Sequence, residues 1–150
     1  MTRRMNRCIA SLVAPLALAT LTACSTSVPS DLDLSLSHRS DHGTYLVSLQ
    51  PPSPAPAINQ MHAWQVRLTA PDGSPVRQAR LRVDGGMPQH GHGLPTRPQA
   101  TREIAEGIYL LEGMKFSMTG WWEIRLAIQG AAGEDAVTFN TVVRDPAARL

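Results

Sequence analysis

The chain has 150 residues, of which 14 are basic, 12 are acidic and two are cysteine. Arg3, Arg4 and Arg7 belong to an N-terminal export segment, and the 14 basic residues less these three leave 11 to face the 12 acidic ones. That balance argues against a nucleic-acid-binding protein, since no basic stripe with interleaved aromatic residues remains. Cys8 falls within the same segment and leaves only Cys24, so the composition also argues against a disulfide framework.

Residues 1–23 predict a signal peptide. The basic start is followed by an apolar run over residues 8–20, which is shorter than the ~20 residues needed to span a bilayer. The segment ends in Leu21-Thr22-Ala23-Cys24, which resembles the lipobox of bacterial lipoproteins, where cleavage precedes a cysteine that becomes acylated. Ser25 follows instead of Asp, which in Gram-negative lipoproteins implies transport to the outer membrane. We therefore expect an outer-membrane protein that faces the periplasm and is anchored through lipid on Cys24, with an ordinary secretory signal as the alternative.

Residues 24–43 predict a flexible tether between this anchor and a folded domain. Serine and aspartate are frequent here, and the alternating leucines between residues 32 and 36 have no partner strand nearby. At roughly 5–6 Å times the square root of its length, such a tether would hold the domain about 25 Å from the membrane. His38 and His42 lie in this segment and are expected to be solvated.

Short runs of alternating apolar and polar residues, separated by turns rich in proline and glycine, fill the rest of the chain. No helical periodicity is present, so the pattern predicts a single all-β domain over residues 44–145, with residues 146–150 as a C-terminal tail. The expected fold is an immunoglobulin-like antiparallel β-sandwich of about seven strands. The predicted strands cover residues 44–50, 61–70, 76–84, 99–105, 108–116, 121–129 and 136–143.

A connection of unusual composition joins two of these strands at residues 85–98. Four glycines and three prolines leave one thioether, Met87, and two imidazoles, His90 and His92, as its main chemical groups. Residues i and i+2 of an extended chain point to the same side, so both imidazoles can reach one point. A metal ion is the candidate for that point, and the thioether favours copper, because methionine suits Cu(I) and is a poor zinc ligand. The alternative is a loop whose histidines bond only to the loop itself.

Counting chain reversals brings further groups to the same end of the sandwich. The strand at 61–70 begins with His62, which lies at the root of the loop whether this strand pairs with residues 76–84 or lies in the opposite sheet. Two reversals after the loop, residues 117–120 return to this end and carry Met118. The predicted metal site therefore comprises five side chains, which are His90, His92, Met87, His62 and Met118. The alternative for His62 is a buried neutral ring bonded to the loop backbone, and the alternative for Met87 is a core residue that caps the sandwich.

The remaining large side chains are assigned by their phase along the strands. Trp64, Trp122 and Met114 share faces with core residues, whereas Trp121 is expected on the outer face, where it could cover the site or dock a partner. Catalysis finds little support, because the mature body has no cysteine nucleophile, no serine in a nucleophile-elbow context and no pair of acids placed across a cleft. We therefore expect a non-enzymatic protein.

Three segments together resemble a known family. Met61–Trp64, Asp84–Thr96 and Glu112–Trp122 are similar to the YtkA-like/FixH family of small bacterial envelope proteins, and the resemblance covers residues 44–145. It implies an immunoglobulin-like sandwich and an association with copper handling, since FixH-type members accompany copper-oxidase assembly. This chain differs from FixH in carrying a lipobox where FixH has a transmembrane anchor, so the oxidase-assembly role is not carried over.

Two hypotheses follow from different functional classes. The first is an envelope lipoprotein that binds copper through the histidine and methionine groups and holds it or delivers it to a protein partner. The second is a metal-free interaction module in which the histidine-rich loop is structural and the same end of the domain, with Trp121, binds a protein or a glycan.

Overall fold

The computed structural model describes residues 28–55 and 57–144, so the predicted signal peptide, its cleavage site and Cys24 lie outside the described residues. Within those two ranges the chain forms nine β-strands and one short 3₁₀ turn, and no helix there is long and apolar enough to cross a membrane. The strands are β1 (Ser37–Arg39), β2 (Leu46–Gln50), β3 (His62–Thr69), β4 (Arg80–Met87), β5 (His92–Gly93), β6 (Gln99–Ala105), β7 (Ile108–Met114), β8 (Gly120–Gly130) and β9 (Gly133–Val143).

The strands form two antiparallel sheets, which confirms the predicted β-sandwich. One sheet has the order β1-β2-β3-β7-β6 and the other has the order β5-β4-β8-β9. The strands that begin at His62 and at Arg80 lie in opposite sheets, which is the second of the two arrangements considered for them. All seven predicted strands exist, and β1 and β5 are additional short strands at the sheet margins.

The core lies between the two sheets and follows the alternation of the sequence. In β8, for example, Trp122, Ile124, Leu126 and Ile128 are buried while the residues between them face outward. The predicted core positions of Trp64, Trp122 and Met114 are confirmed, since all three are buried.

The connections at one end of the sandwich bring the candidate ligands together. We call this end the His/Met pole and define it by residues 51–61, 88–98 and 115–119, which join β2 to β3, β4 to β6 and β7 to β8. The opposite pole consists of residues 40–45, 70–79, 106–107 and 131–132. The topology thus confirms the prediction that the loops with His90, His92 and Met118 lie at one pole.

The prediction that residues 24–43 form a flexible tether is wrong for residues 37–43. β1 pairs with β2, with Ser37 opposite Ser48 and Arg39 opposite Leu46. His38 is not solvated as expected, because its ring packs edge-on against Phe139 at 4.8 Å between ring centres. The reason is that the short polar strand completes the margin of a sheet, which pairs its backbone although its side chains carry no apolar pattern.

Asp135 fixes the end of this N-terminal segment at the opposite pole. Its side chain is buried and accepts hydrogen bonds from the backbone amides of His42 and Thr44, at 3.1 and 3.2 Å, and from the ring of His42 at 2.9 Å. Burial by itself raises the pKa of the Asp135 carboxyl, but the hydrogen bonds outweigh that effect and hold the pKa well below its ordinary range. The carboxylate therefore ties the segment before β2 to β9.

Candidate metal site

The loop predicted at residues 85–98 begins as a hairpin. β4 continues through Met87, Pro88–His90 form a 3₁₀ turn, and Gly91 ends that turn in the left-handed conformation with φ 65°. β5 then runs back along β4, which places His92 directly opposite Met87. The turn at residues 88–91 thus holds Met87, His90 and His92 in a fixed arrangement.

A close backbone approach at Gly86 permits this hairpin. A Cβ atom on Gly86 would lie 2.3 Å from the carbonyl oxygen of His92 and 2.9 Å from the Cα of Gly93. Both neighbours are backbone atoms and cannot rotate away, so only glycine fits at this position. The position of His92 therefore depends on the absence of a side chain on β4.

His90 and His92 are brought together and exposed to solvent. Their ring centres are 5.9 Å apart and the rings are tilted by 31°. A metal bound at about 2.0 Å by one nitrogen of each imidazole holds two ring centres roughly 5–6 Å apart. The distance between the two ring centres is therefore compatible with a shared metal ion.

His92 has the tautomer that a metal ligand needs. Its Nδ1 atom lies 3.0 Å from the carbonyl oxygen of Gly93. A carbonyl can only accept a hydrogen bond, so Nδ1 carries the proton and, in the neutral ring, Nε2 keeps its lone pair. A backbone bond to the other ring nitrogen is the usual way in which proteins orient a metal-binding imidazole.

His62 has the opposite tautomer. The indole N–H of Trp64 donates to Nδ1 of His62 at 2.9 Å, and since an indole nitrogen only donates, Nδ1 must be the acceptor and Nε2 carries the proton. Nε2 is buried and has no hydrogen-bond partner. Burial lowers the pKa of His62 below its ordinary value, which keeps the ring neutral. In this rotamer His62 offers no free lone pair to a metal, and its hydrogen bond goes to Trp64 instead of the loop backbone.

Two aromatic rings separate His62 from the histidine pair. The ring of His62 contacts Phe116 at 5.2 Å, Phe116 contacts Trp122 at 5.2 Å, and Trp122 contacts His92 edge-on at 5.6 Å. His62 therefore shares the pole with His92 but is not in one coordination shell with it. Phe116 and Trp122, which form the wall beneath the histidines, are not among the site residues predicted from the sequence. The available signal was their aromatic type and their place beside the 117–120 connection.

The two candidate thioethers differ in their surroundings. Met87 is 1% exposed, and its methyl group would lie 2.9 Å from a Cβ atom on Gly120, so its end occupies the space that this glycine leaves. The side chain of Met118 is 38% exposed, and its backbone carbonyl accepts the indole N–H of Trp122 at 3.1 Å. Met87 is thus a buried group that pairs with His92 across the hairpin, and Met118 is an exposed group at the surface of the same pole.

The family of the chain follows from its sequence as a whole. The YtkA-like family model matches residues 39–127, which run from the end of β1 into β8 and include every group of the candidate site. The chain belongs to the YtkA-like family. No curated protein and no solved structure matches it significantly.

The described residues of the YtkA-like domain do not group His, Cys, Asp and Glu side chains into a metal site. Among residues 28–55 and 57–144, no three side chains of the His, Cys, Asp and Glu types are grouped so that they could hold a metal ion. Among the described residues, Met87 and Met118 are the other candidate side-chain ligands at the pole that carries His90 and His92. Trp121 lies beside this region on the outer face, where its indole N–H donates to Asn140 at 2.9 Å.

Proposed function

We propose that this YtkA-like protein is a non-enzymatic envelope lipoprotein that binds one copper ion at the His/Met pole and holds it or delivers it to a protein partner. The observation that carries the proposal is the tautomer of His92. Its Nδ1 proton is committed to Gly93, so Nε2 is free on the exposed side of a ring that lies 5.9 Å from the ring of His90. His90 and His92 would supply the two nitrogen ligands.

The ligand types favour copper over zinc. A structural zinc site takes four nitrogen, sulfur or oxygen ligands, and a catalytic one takes three from the protein. Among the described residues no third imidazole, thiol or carboxylate is grouped with His90 and His92, but Met87 lies opposite His92 and Met118 lies in a neighbouring connection. Thioethers select Cu(I) among the common metals, so Met87 and Met118 would complete the site for that ion.

His62 has a supporting place in this proposal. Its Nε2 proton and its distance from the pair, across Phe116 and Trp122, argue for a neutral ring that positions Trp64 and Phe116. Asp84 and Glu123, two acids on the outer face of β4 and β8, both form ion pairs with Arg125.

The proposed location is the outer membrane on its periplasmic side, with acylated Cys24 as the anchor. It depends on the lipobox-like sequence alone. An envelope location agrees with a copper-handling role, because a lipid-anchored domain can receive an ion from one protein and pass it to another at the same surface.

The metal-free interaction module is the second candidate. It is favoured by the burial of Met87, which as a core residue needs no ligand role, and by the partial exposure of Trp121 on the outer face. In that case a protein or a glycan would bind at the His/Met pole, and the bond from His92 to Gly93 would serve only to fix the hairpin.

The deciding experiment uses residues 24–150 with Cys24→Ser, titrated with Cu(I) under reducing conditions and with Cu(II). We expect saturable binding of one Cu(I) and a rise in melting temperature, because a ligand at 100 times its Kd stabilises the folded state by about 2.7 kcal/mol. The double variant His90→Ala/His92→Ala should lose both effects.

Two further variants sharpen the result. His42→Ala removes an exposed histidine at the opposite pole and should bind Cu(I) as the unmodified domain does. Met87→Leu keeps the volume of the side chain and should weaken Cu(I) binding more than Cu(II) binding, since only Cu(I) prefers a thioether. A melting temperature that does not change with excess copper would favour the interaction module instead.

A further inference from the structure

The chain enters the folded domain at the His/Met pole. β1 runs antiparallel to β2, so its N-terminal end points toward the pole from which β3 starts. The backbone confirms this direction, because the carbonyl of Leu36 accepts the amide of Leu49 at 2.8 Å and the carbonyl of Asp33 accepts the side-chain amide of Asn140 at 3.1 Å. Any anchor at Cys24 therefore pulls on the domain from the side that carries His90 and His92.

Chain length limits how far this pole can be from the membrane. The nine residues 25–33 lead from Cys24 up to and including Asp33, and a fully extended chain of that length spans at most roughly 30 Å. The eight residues of β3 alone extend about 26 Å from one pole to the other. Turning the opposite pole toward the bilayer would require these nine residues to run back along the whole domain at nearly full extension.

Exposed apolar side chains are concentrated on the same side. Of the five large hydrophobic residues that are exposed among the described residues, only Ile104 lies toward the opposite pole. The other four are Leu34, Leu36, Met61 and Met118, and their exposed fractions run from 38% to 62%. Trp121 adds a half-exposed indole, a side chain that is favoured at the boundary between water and lipid.

The charges of the connections have a matching asymmetry. Counted over residues 28–55 and 57–144, the connections of the His/Met pole and the chain ends beside it carry three cations against two acids, whereas the connections of the opposite pole carry three acids against one cation. The first set is Arg97, Lys115 and Arg144 against Asp31 and Asp33, and the second is Asp41, Asp72 and Glu106 against Arg77. Anionic lipid headgroups attract the first set and repel the second.

We infer that the His/Met pole rests on the surface of the lipid bilayer, with Leu34, Leu36, Met61 and Met118 in contact with the headgroup region. The inference depends on the acylation of Cys24 in the proposed function. It implies that copper enters and leaves this domain next to the membrane.

Two labelling positions at the ends of one strand test this orientation. Thr119 and Ala132 are exposed residues that flank β8, whose eleven residues separate them by roughly 35 Å. The lipidated chain has no other free thiol, since Cys8 leaves with the signal and Cys24 carries lipid, so Thr119→Cys and Ala132→Cys each accept a single fluorophore. Each labelled lipoprotein is reconstituted into vesicles of phosphatidylethanolamine and phosphatidylglycerol that contain a headgroup-linked quencher.

We expect the label at position 119 to be quenched at least about twofold more strongly than the label at position 132, because apolar and cationic groups draw the first pole to the bilayer. The difference should persist when about 20 Gly/Ser residues are inserted after Cys24, since contact by the pole itself does not need a short link. Equal quenching at the two positions, or loss of the difference with the longer link, would overturn the inference.

Acylation is read separately from the mass of the N-terminal peptide. An unmodified Cys24 would overturn the lipid anchor of the proposed function and this inference with it. An acylated Cys24 with equal quenching at both labels would overturn the orientation alone. Because the vesicles contain no other protein, quenching there also distinguishes a bilayer from a membrane-protein partner.

Discussion

Replacing Gly86 by alanine should displace His92 without removing any candidate ligand. The added Cβ would lie 2.3 Å from the carbonyl oxygen of His92, whereas ordinary contacts of this kind begin near 3.4 Å, so the β5 backbone must move by about 1 Å or detach. Detachment removes the pairing of Met87 with His92 and the 3.1 Å bond from the amide of Leu94 to Gly85. Each lost hydrogen bond costs about 0.5–1.5 kcal/mol, so we expect Gly86→Ala to destabilise the domain by about 1–3 kcal/mol.

Gly93→Ala is the matched control for this change. Gly93 pairs with Gly86 across the same two strands, but a Cβ on Gly93 has only the carbonyl of Gly85 nearby, at 3.6 Å, which is an ordinary contact. Its backbone is outside the left-handed region, so alanine adds no strain there. We expect its effect on stability to be within about 0.5 kcal/mol.

The two variants are compared by urea unfolding, followed through the fluorescence of the buried Trp122, and by the amide NMR signals of His92 and Leu94. Each kcal/mol of destabilisation should also lower the melting temperature by about 4–8 °C. If the hairpin positions the metal ligands, Gly86→Ala should weaken Cu(I) binding and Gly93→Ala should not. The reasoning is refuted if both variants unfold at the same urea concentration and the NMR signals of His92 are unchanged by Gly86→Ala.

Two titratable groups give predictions of pH dependence. Because its hydrogen bonds hold the pKa of Asp135 below the ordinary value, its carboxylate stabilises the fold fully above an unfolded pKa of about 3.9, and this contribution is lost as the pH falls through the folded pKa. Asp135→Asn should lower the urea midpoint at neutral pH, and its difference from the unmodified domain should shrink toward about pH 2; a constant difference would contradict this role. Because burial lowers the pKa of His62, the unfolded state binds a proton first as the pH falls below about 6.5, so stability should decrease between about pH 7 and 5. His62→Gln should reduce that decrease, and an unchanged pH profile would show that the ring is not buried as described.

Most of the fold could be predicted from the sequence because period-2 alternation is a local signal. The strands that hold Trp64, Leu126 and Phe139 are long enough to carry it, and counting reversals then places the connections at the correct poles. β1 could not be predicted in this way, since its three residues carry polar side chains and pair with β2 only in the folded chain. Asp135 falls one residue before the predicted strand at 136–143, although it shares its parity with Val137 and Phe139, and this parity was the available signal that it points inward.

The candidate site was less predictable because it depends on rotamers and on hydrogen bonds between neighbours. The pairing of Met87 with His92 follows from a four-residue turn whose geometry the glycines permit but do not specify. The unsuitability of His62 as a ligand follows from a single bond from the indole of Trp64, which no spacing rule reveals. The position of Phe116 and Trp122 between His62 and His92 likewise depends on packing.

The direction in which β1 is attached has a mechanical consequence. A lipid at Cys24 would transmit any tension in the envelope to the beginning of β1, at the His/Met pole, while Asp135 holds the far end of the segment through the amides of His42 and Thr44. A pulling force at Cys24 would therefore have to separate β1 from β2 before it acts on the hydrogen bonds of Asp135. Because β1 is a three-residue strand at the margin of its sheet, we expect the core around β8 to stay intact under a force that already detaches β1.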